Sequence, residues 1–197
     1  MKLKSNIVNF NKKSSKFKQK EFSNVLECLD YKNSDKNFVD LLEKKFCQIF
    51  RVKYAIACNS GTSALHAAVA SLDLKKDDEI IVPSLAVVMD AYVTIHAKAK
   101  PVFVDINRDN WNIDIEKIEA AITPKTKAII TVSLYGLPVQ MEKIMKIASK
   151  YNLVVIDDSA ETFLANINDS LYSNLADITV YSFERTKHMT SGSEGGM

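Results

Sequence analysis

Residues 177–197 read DITVYSFERTKHMTSGSEGGM. The apolar, β-branched and aromatic run from Ile178 to Phe183 predicts a buried strand, and the polar residues and glycines after it predict a turn. Lys187 therefore falls just beyond the end of a strand, which in an open α/β sheet is the edge where ligand crevices form. A lysine held against apolar surroundings can lose its proton and attack a carbonyl, so a Schiff-base role is chemically possible; a solvated loop lysine is the alternative.

Upstream of this stretch, strand and helix patterns alternate along the chain. Further strands are predicted at residues 54–58, 79–82, 101–104, 127–132 and 153–156. Helices are predicted at residues 37–50, 64–72, 86–97, 115–122 and 141–148. Asp114 is the expected N-cap of the fourth helix. Repeated βα units with apolar strands predict a mostly parallel sheet with helices on both faces.

Composition limits the function classes. The 197 residues are 47% hydrophobic and 25% charged, which is typical of one folded α/β domain rather than a disordered chain. A net charge of +2 gives no argument for nucleic acid or membrane partners. Cys28, Cys47 and Cys58 lack metal-ligand spacing, so we expect reduced thiols, a cytoplasmic location and no metal. No apolar run suggests a membrane span or a signal peptide.

The N-terminal segment differs from the rest of the chain. Residues 1–20 carry seven lysines and no acidic residue. We interpret residues 1–35 as a solvated leader and N-terminal segment, with a nucleic-acid or membrane-surface arm as the alternative. The predicted domain then covers residues 36–197.

Polar residues at the predicted strand ends are the candidates for chemistry. The turn at residues 59–63 joins a strand to a helix, an arrangement that directs backbone N–H groups at an anion, although on local grounds an ordinary N-cap is the preferred explanation. Asp157, Asp158 and Glu161 follow another strand and could bind magnesium, cap a helix or serve a cofactor. Ser182 and the nearby His188 are too close in sequence to favour a hydrolase pair.

Four of these features together match the needs of pyridoxal phosphate. The Gly61-Thr62-Ser63 turn and the Ser182 hydroxyl could hold a phosphate, and Lys187 could form a Schiff base. Asp158 could keep the pyridine nitrogen protonated, so that the ring accepts electrons.

Seven stretches then occur in a consistent order between residues 36 and 197. They are NSGTSALH at 59–66, DEIIVPS at 78–84, AKPVFVD at 99–105, AITPKTKAII at 121–130, LYG at 134–136, DDSAE at 157–161 and SFERTKHMTSGSEGG at 182–196. In these stretches the chain resembles the N-terminal half of the DegT/StrS family of sugar aminotransferases. The resemblance implies the large domain of the fold type I, pyridoxal phosphate-dependent architecture.

The resemblance also implies roles for single residues. Lys187 would be the Schiff-base lysine, and Asp158 would pair with the pyridine nitrogen. Ser182 and Thr62 would hold the phosphate together with the Gly61 backbone.

A further position, Glu161, lies where many relatives have glutamine, beside the phenolic oxygen of the cofactor. Glutamate there is similar to the perosamine synthase branch, which aminates a 4-keto GDP-sugar. Related sugar 3-dehydratases carry histidine in place of the lysine, so Lys187 favours transamination over dehydration. The implied activity is transamination of a 4-keto-6-deoxy nucleotide sugar, with glutamate as amino donor, for glycan or surface polysaccharide biosynthesis. A homodimer is implied for the full-length protein.

The chain departs from the family pattern at several places. Val87 stands where the family has an aromatic residue against the cofactor ring, and valine loses the stacking contribution. The family's glycines are absent between Ala165 and Asp177, and the stretch at 191–196 is one residue longer. The sequence stops at Met197, where relatives continue about as far again through a central antiparallel strand and a small C-terminal domain. We therefore expect a fragment or truncated product, with a catalytically inactive remnant as the alternative to an enzyme.

Overall fold

A five-stranded parallel sheet lies at the centre of the structure, a computed structural model that describes residues 19–30, 36–167 and 170–197. Its strands are β1 (Glu79–Pro83), β2 (Lys100–Val104), β3 (Thr126–Val132), β4 (Val154–Asp158) and β7 (Ile178–Val180). Their order is β2-β1-β3-β4-β7, and every neighbouring pair is parallel. The remaining strands, β5 (Asn166–Ile167) and β6 (Ser170–Leu171), form a short antiparallel pair. The predicted parallel sheet is confirmed.

Six α-helices accompany the strands in the described part of the chain. They are α1 (Gln19–Leu29), α2 (Phe38–Phe50), α3 (Gly61–Ala70), α4 (Met89–His96), α5 (Ile115–Ala121) and α6 (Met141–Tyr151). Asp114 caps α5 as predicted, since its side chain accepts a hydrogen bond from the Glu116 N–H at 3.2 Å. Helix α1 lies within the segment interpreted as a leader; residues 1–18 and 31–35 of that segment lie outside the described residues.

The helices cover both faces of the sheet. Helices α3 and α4 pack with Ile156 of β4 and its neighbours on one face. Helices α5 and α6 pack with Val155 of the same strand on the other face. Successive β4 side chains therefore enter different cores, as the two-residue period of a strand requires. This arrangement confirms the helix-covered sheet expected from the apolar strands.

The strand predicted at residues 54–58 is wrong except at its last residue. Only Cys58 pairs, through two backbone hydrogen bonds of 2.9 Å with Gly196. The side-chain alternation that produced the prediction is present, because Tyr54 and Ile56 are exposed while Ala55 and Ala57 pack on a core. A ladder also needs a hydrogen-bonding neighbour, and the structure supplies one at a single position.

The apolar run at residues 178–183 contributes to two different pairings. Its first half is β7, and its second half pairs antiparallel with residues 195–197. The Tyr181 N–H donates to the Met197 carbonyl at 3.0 Å, and the Phe183 N–H donates to the Gly195 carbonyl at 2.8 Å. Residues 195–197 thus lie between the end of β7 and Cys58 and pair antiparallel with residues 181–183.

A buried polar network anchors the end of β4 on the α5/α6 face. Asp157 is fully buried and accepts hydrogen bonds from Thr131 Oγ1 at 2.7 Å, Tyr172 OH at 3.0 Å and Ser159 Oγ. Ser133 Oγ in turn donates to Tyr172 OH at 2.9 Å. Burial raises the pKa of Asp157 to about 6, and the three donors oppose that rise.

We predict that Tyr172→Phe destabilises the fold, because Asp157 loses a donor and Ser133 loses its acceptor. The free energy of unfolding should fall by about 1–3 kcal/mol, the cost of unsatisfied buried polar groups. The matched control is Tyr151→Phe, which removes a hydroxyl that donates to Glu119 at 3.0 Å on an exposed surface. That control should change stability by less than about 0.5 kcal/mol. Urea unfolding above the pKa of Asp157 measures both; equal losses would contradict the prediction.

We also predict that Gly196→Ala disrupts the pairing with Cys58. A Cβ at this position would lie 2.4 Å from the Ser60 carbonyl oxygen and 2.8 Å from the Gly61 nitrogen. Both atoms are backbone, so the chain must shift, at a cost of about 1–3 kcal/mol. Hydrogen exchange at the Cys58 amide should accelerate. The exposed substitution Ser193→Ala should leave exchange and the urea midpoint unchanged. If Gly196→Ala also changed neither exchange nor the urea midpoint, the close approach of Gly196 to Ser60 would be refuted.

Candidate functional site

The candidate residues gather at the carboxyl edge of β4 and β7. Asp158 ends β4 and lies opposite Val180 of β7 and Val132 of β3 in the ladder. Because Asp157 enters the α5/α6 core, Asp158 points to the α3/α4 face, where only 8% of the residue is exposed. Ser182 follows Val180 by two residues. The sequence therefore brings Asp158 and Ser182 to neighbouring positions at one edge.

Asp158 is held in an environment that opposes its ionisation. Burial is the largest cause of its raised pKa, and the negative charge of Glu161 adds to it. The Ala160 N–H, which donates to Oδ1 at 2.9 Å, and the positive charge of Lys187 both lower that pKa. A cation placed against this carboxyl would favour its ionised form.

Lys187 lies in a turn beyond β7, as predicted, with its N–H donating to the Glu184 carbonyl at 2.9 Å. Its Nζ is 3.6 Å from Glu161 Oε1, and about a fifth of its side chain is exposed. The Lys187 amine is therefore partly buried and lies beside a carboxylate. Carboxylates border the amine because the chain leaving β4 carries Asp158 and Glu161 to the same edge.

The Leu134–Gly136 turn fixes the second oxygen of Glu161. The Tyr135 N–H donates to Glu161 Oε2 at 2.8 Å. Tyr135 and Gly136 have positive φ values of 53° and 84°, and a Cβ at Gly136 would lie 3.3 Å from the Glu161 carbonyl oxygen. Glycine serves this close, left-handed position without strain. The turn therefore holds Glu161 with one oxygen toward Lys187.

The predicted anion cradle lies at the start of α3. Ser60 is the N-cap, and its Oγ accepts a hydrogen bond from the Ser63 N–H at 3.1 Å. The N–H groups of Gly61 and Thr62 precede the helical bonding pattern and have no intrahelical acceptor. A Cβ at Gly61 would lie 2.7 Å from Ser182 Cβ and 3.1 Å from Ser182 Oγ. The N-cap is confirmed, and the turn that could cradle an anion adjoins Ser182.

Two residues around α4 complete the description. Val87 precedes the helix, which begins later than predicted, and about half of the residue is exposed. Its carbonyl accepts a hydrogen bond from the Asp90 N–H at 3.2 Å. Asp90 is 1% exposed and lies against Asp158, and sequence reasoning missed it. The available signal was one acidic residue within a nearly all-apolar predicted helix.

Two further observations concern metal ions and membranes. Among the described residues, no group of three or more histidine, cysteine, aspartate or glutamate side chains is arranged to hold a metal ion. Each helix in the described ranges is too short or too polar to cross a lipid bilayer.

Known proteins resemble this chain in sequence. GDP-perosamine synthase from Caulobacter vibrioides is 42% identical over 175 residues, which cover 88% of this chain and 47% of that enzyme. GDP-perosamine synthase from Escherichia coli O157:H7 is 40% identical over 182 residues, covering 91% of this chain and 49% of that enzyme. The chain thus spans about half the length of the curated relatives it matches.

Solved structures agree with the sequence relatives. An aminotransferase from Psychrobacter cryohalolentis superimposes with a TM-score of 0.87 at 34% identity, over 92% of this chain and 47% of that one. The family description DegT/DnrJ/EryC1/StrS aminotransferase matches residues 14–197, which begins earlier than the resemblance seen in the sequence. The family, its fold type I large domain and the arrangement at the sheet edge are mutually consistent. The chain belongs to the DegT/DnrJ/EryC1/StrS aminotransferase family.

Proposed function

We propose that this chain forms the pyridoxal phosphate-binding part of an enzyme that transfers an amino group to a keto nucleotide sugar. The observation that carries the proposal is the position of Lys187, whose Nζ lies 3.6 Å from Glu161 Oε1 and whose charge acts on Asp158. A primary amine near two carboxyls, at a sheet edge where Ser182 adjoins the N-terminus of α3, provides an attacking group, a proton acceptor and a phosphate cradle.

The residues present fit pyridoxal phosphate. The buried Asp158 carboxyl suits the pyridine nitrogen, because a cationic ring would offset the burial that raises the pKa of this group. The open N–H groups of Gly61 and Thr62, with the adjacent Ser182 hydroxyl, suit a phosphate. The close contact between Gly61 and Ser182 leaves no room for a larger residue at position 61. When bound, the cofactor supplies an electron-accepting ring.

The residues of the chain would then bind, orient and move protons. Lys187 carries the amine and moves a proton to or from the substrate carbon. Glu161, fixed by the Tyr135 N–H, holds the Lys187 amine by one oxygen and orients it toward the edge of the sheet. Val87 would pack on one side of the ring without stacking on it.

The relatives support a proposal for the substrate class. The similarity to GDP-perosamine synthases and the presence of glutamate at position 161 support a 4-keto-6-deoxy nucleotide sugar as amino acceptor. Glutamate is the amino donor in this proposal, and glycan or surface polysaccharide biosynthesis is the process served. The proposal also includes a homodimer of the whole protein and a cytoplasmic location. The free thiols of Cys28, Cys47 and Cys58 support that location.

A related sugar dehydratase is the second candidate. A GDP-4-keto-6-deoxy-D-mannose-3-dehydratase from E. coli, solved with hydrated pyridoxal phosphate bound, superimposes with a TM-score of 0.85 at 30% identity, over 92% of this chain and 49% of that one. The lysine at position 187 favours transamination. Glutamate-dependent formation of an amino sugar, measured against loss of water from the same substrate, separates the two.

We predict that Lys187→Ala abolishes covalent attachment of pyridoxal phosphate. After incubation and borohydride reduction, the parent protein should carry one pyridoxyl adduct on the Lys187 peptide, identified by mass spectrometry. The matched control is Lys143→Ala, which removes an exposed lysine of α6 and should leave the adduct in place. An adduct that persists in Lys187→Ala, or maps elsewhere in the parent, would refute the assignment.

A further inference from the structure

Asp90 is a buried carboxyl that the proposed function does not use. It lies in the first turn of α4, where 1% of the residue is exposed. Neither of its oxygens accepts a hydrogen bond from any group in the described part of the chain. An ionised carboxyl in such a position would lose its hydration without compensation, which is costly. The residue therefore requires a neutral state or a partner.

The partner that the structure offers is Asp158. Both lie on the α3/α4 side of the sheet, and their interaction raises the pKa of Asp90 and lowers that of Asp158. A hydrogen bond between two carboxyls requires one of them to be protonated, because two ionised carboxylates have no proton to donate. The lack of any other donor to Asp90 is then explained, because its proton is directed at Asp158.

The charged groups around the pair decide which carboxyl keeps the proton. Burial is the main cause that raises the pKa of Asp90 to about 8, and the negative charges of Asp158 and Asp157 contribute. Lys187 acts on Asp158 and favours its ionised form, while Glu161 opposes it. The only positive charge in this set is therefore beside Asp158, and the proton resides on Asp90.

We propose that Asp90 and Asp158 share one proton, and that Asp90 acts as a positioning residue that sets the charge Asp158 presents. The pairing is a property of the chain itself. Its effect on pyridoxal phosphate rests on the proposed function, in which Asp158 faces the pyridine nitrogen. In this role Asp90 acts on the cofactor through Asp158.

A cationic ring against Asp158 would lower the proton affinity of Asp90. Binding of pyridoxal phosphate would then release the Asp90 proton over a range of pH below about 8, the pKa of Asp90 in the free protein. By linkage, the affinity gains with rising pH across that range and levels off above it. Asp90→Asn fixes the neutral form and lacks this gain.

The first experiment tests the shared proton without cofactor. Carboxyl ¹³C resonances of aspartate-labelled protein are titrated, and the Asp90 signal is identified by its loss in Asp90→Asn. In Asp158→Asn the proton affinity of Asp90 should fall by about tenfold, or one pKa unit, because its charged partner is gone. An unchanged Asp90 titration in Asp158→Asn would show that burial acts alone, and would overturn the proposal.

Urea unfolding gives an independent measurement. Because the folded-state pKa of Asp90 lies above that of an unfolded aspartate, the folded protein binds more protons between about pH 4 and pH 8. Its stability therefore falls as the pH rises through this window. Asp90→Asn and Asp90→Ser should both lessen that fall, whereas the exposed substitution Asp109→Asn should not. Parallel curves for the parent and both Asp90 variants would also overturn the proposal.

The second experiment adds the cofactor. Dissociation constants for pyridoxal phosphate are measured from about pH 6 to pH 9 for the parent and Asp90→Asn. The cofactor's own titrations affect both proteins equally, so they cancel in the ratio of the two dissociation constants. That ratio should change by about tenfold for each pKa unit by which the bound cofactor lowers the pKa of Asp90. A constant ratio with binding intact would refute the link to Asp158. If neither protein binds the cofactor, the proposed function fails, while the carboxyl titration still decides the shared proton.

Discussion

Side-chain alternation along β4 separates two adjacent carboxyls, and the organisation of the site depends on it. Asp157 enters the α5/α6 core, where three hydroxyl donors satisfy it. Asp158 enters the opposite face and accepts one backbone N–H, with Lys187 and Asp90 nearby. A one-residue shift of register would exchange these environments. The buried network at Asp157 therefore fixes the direction in which Asp158 points.

Much of this fold follows from the sequence, because apolar runs and caps are local signals. The sheet strands between residues 79 and 158 and the Asp114 N-cap were predicted from such local signals. The failure at residues 54–58 has a physical reason: alternation records which side chains are buried, whereas a strand also needs hydrogen-bonding neighbours. The run at 178–183 shows the converse, since one continuous pattern contributes to a parallel pair and then to an antiparallel one.

The candidate site was predictable where its residues follow strands. Lys187 and Asp158 lie at the ends of strands that the sequence predicts, and parallel strands bring such positions to one edge. The Gly61 turn instead follows residues 54–58, where no strand forms, and it meets this edge at Ser182. Asp90 lies in the first turn of α4. The helical periodicity of the sequence does not show that this turn packs near Asp158 of β4. The carboxylate beside the Lys187 amine was not predictable for a related reason, because only the fold brings Glu161 Oε1 within 3.6 Å of that amine.

Charge balance connects these observations. Asp158 and Glu161 interact with the ammonium group of Lys187, and Asp90 and Asp157 interact with Asp158. Fully ionised, the cluster would place excess negative charge in a region largely removed from water, which is unfavourable without compensation. A proton on Asp90 relieves part of that excess in the chain alone. A cationic ring would relieve it further, so the same cluster that resists ionisation is electrostatically complementary to a protonated pyridine.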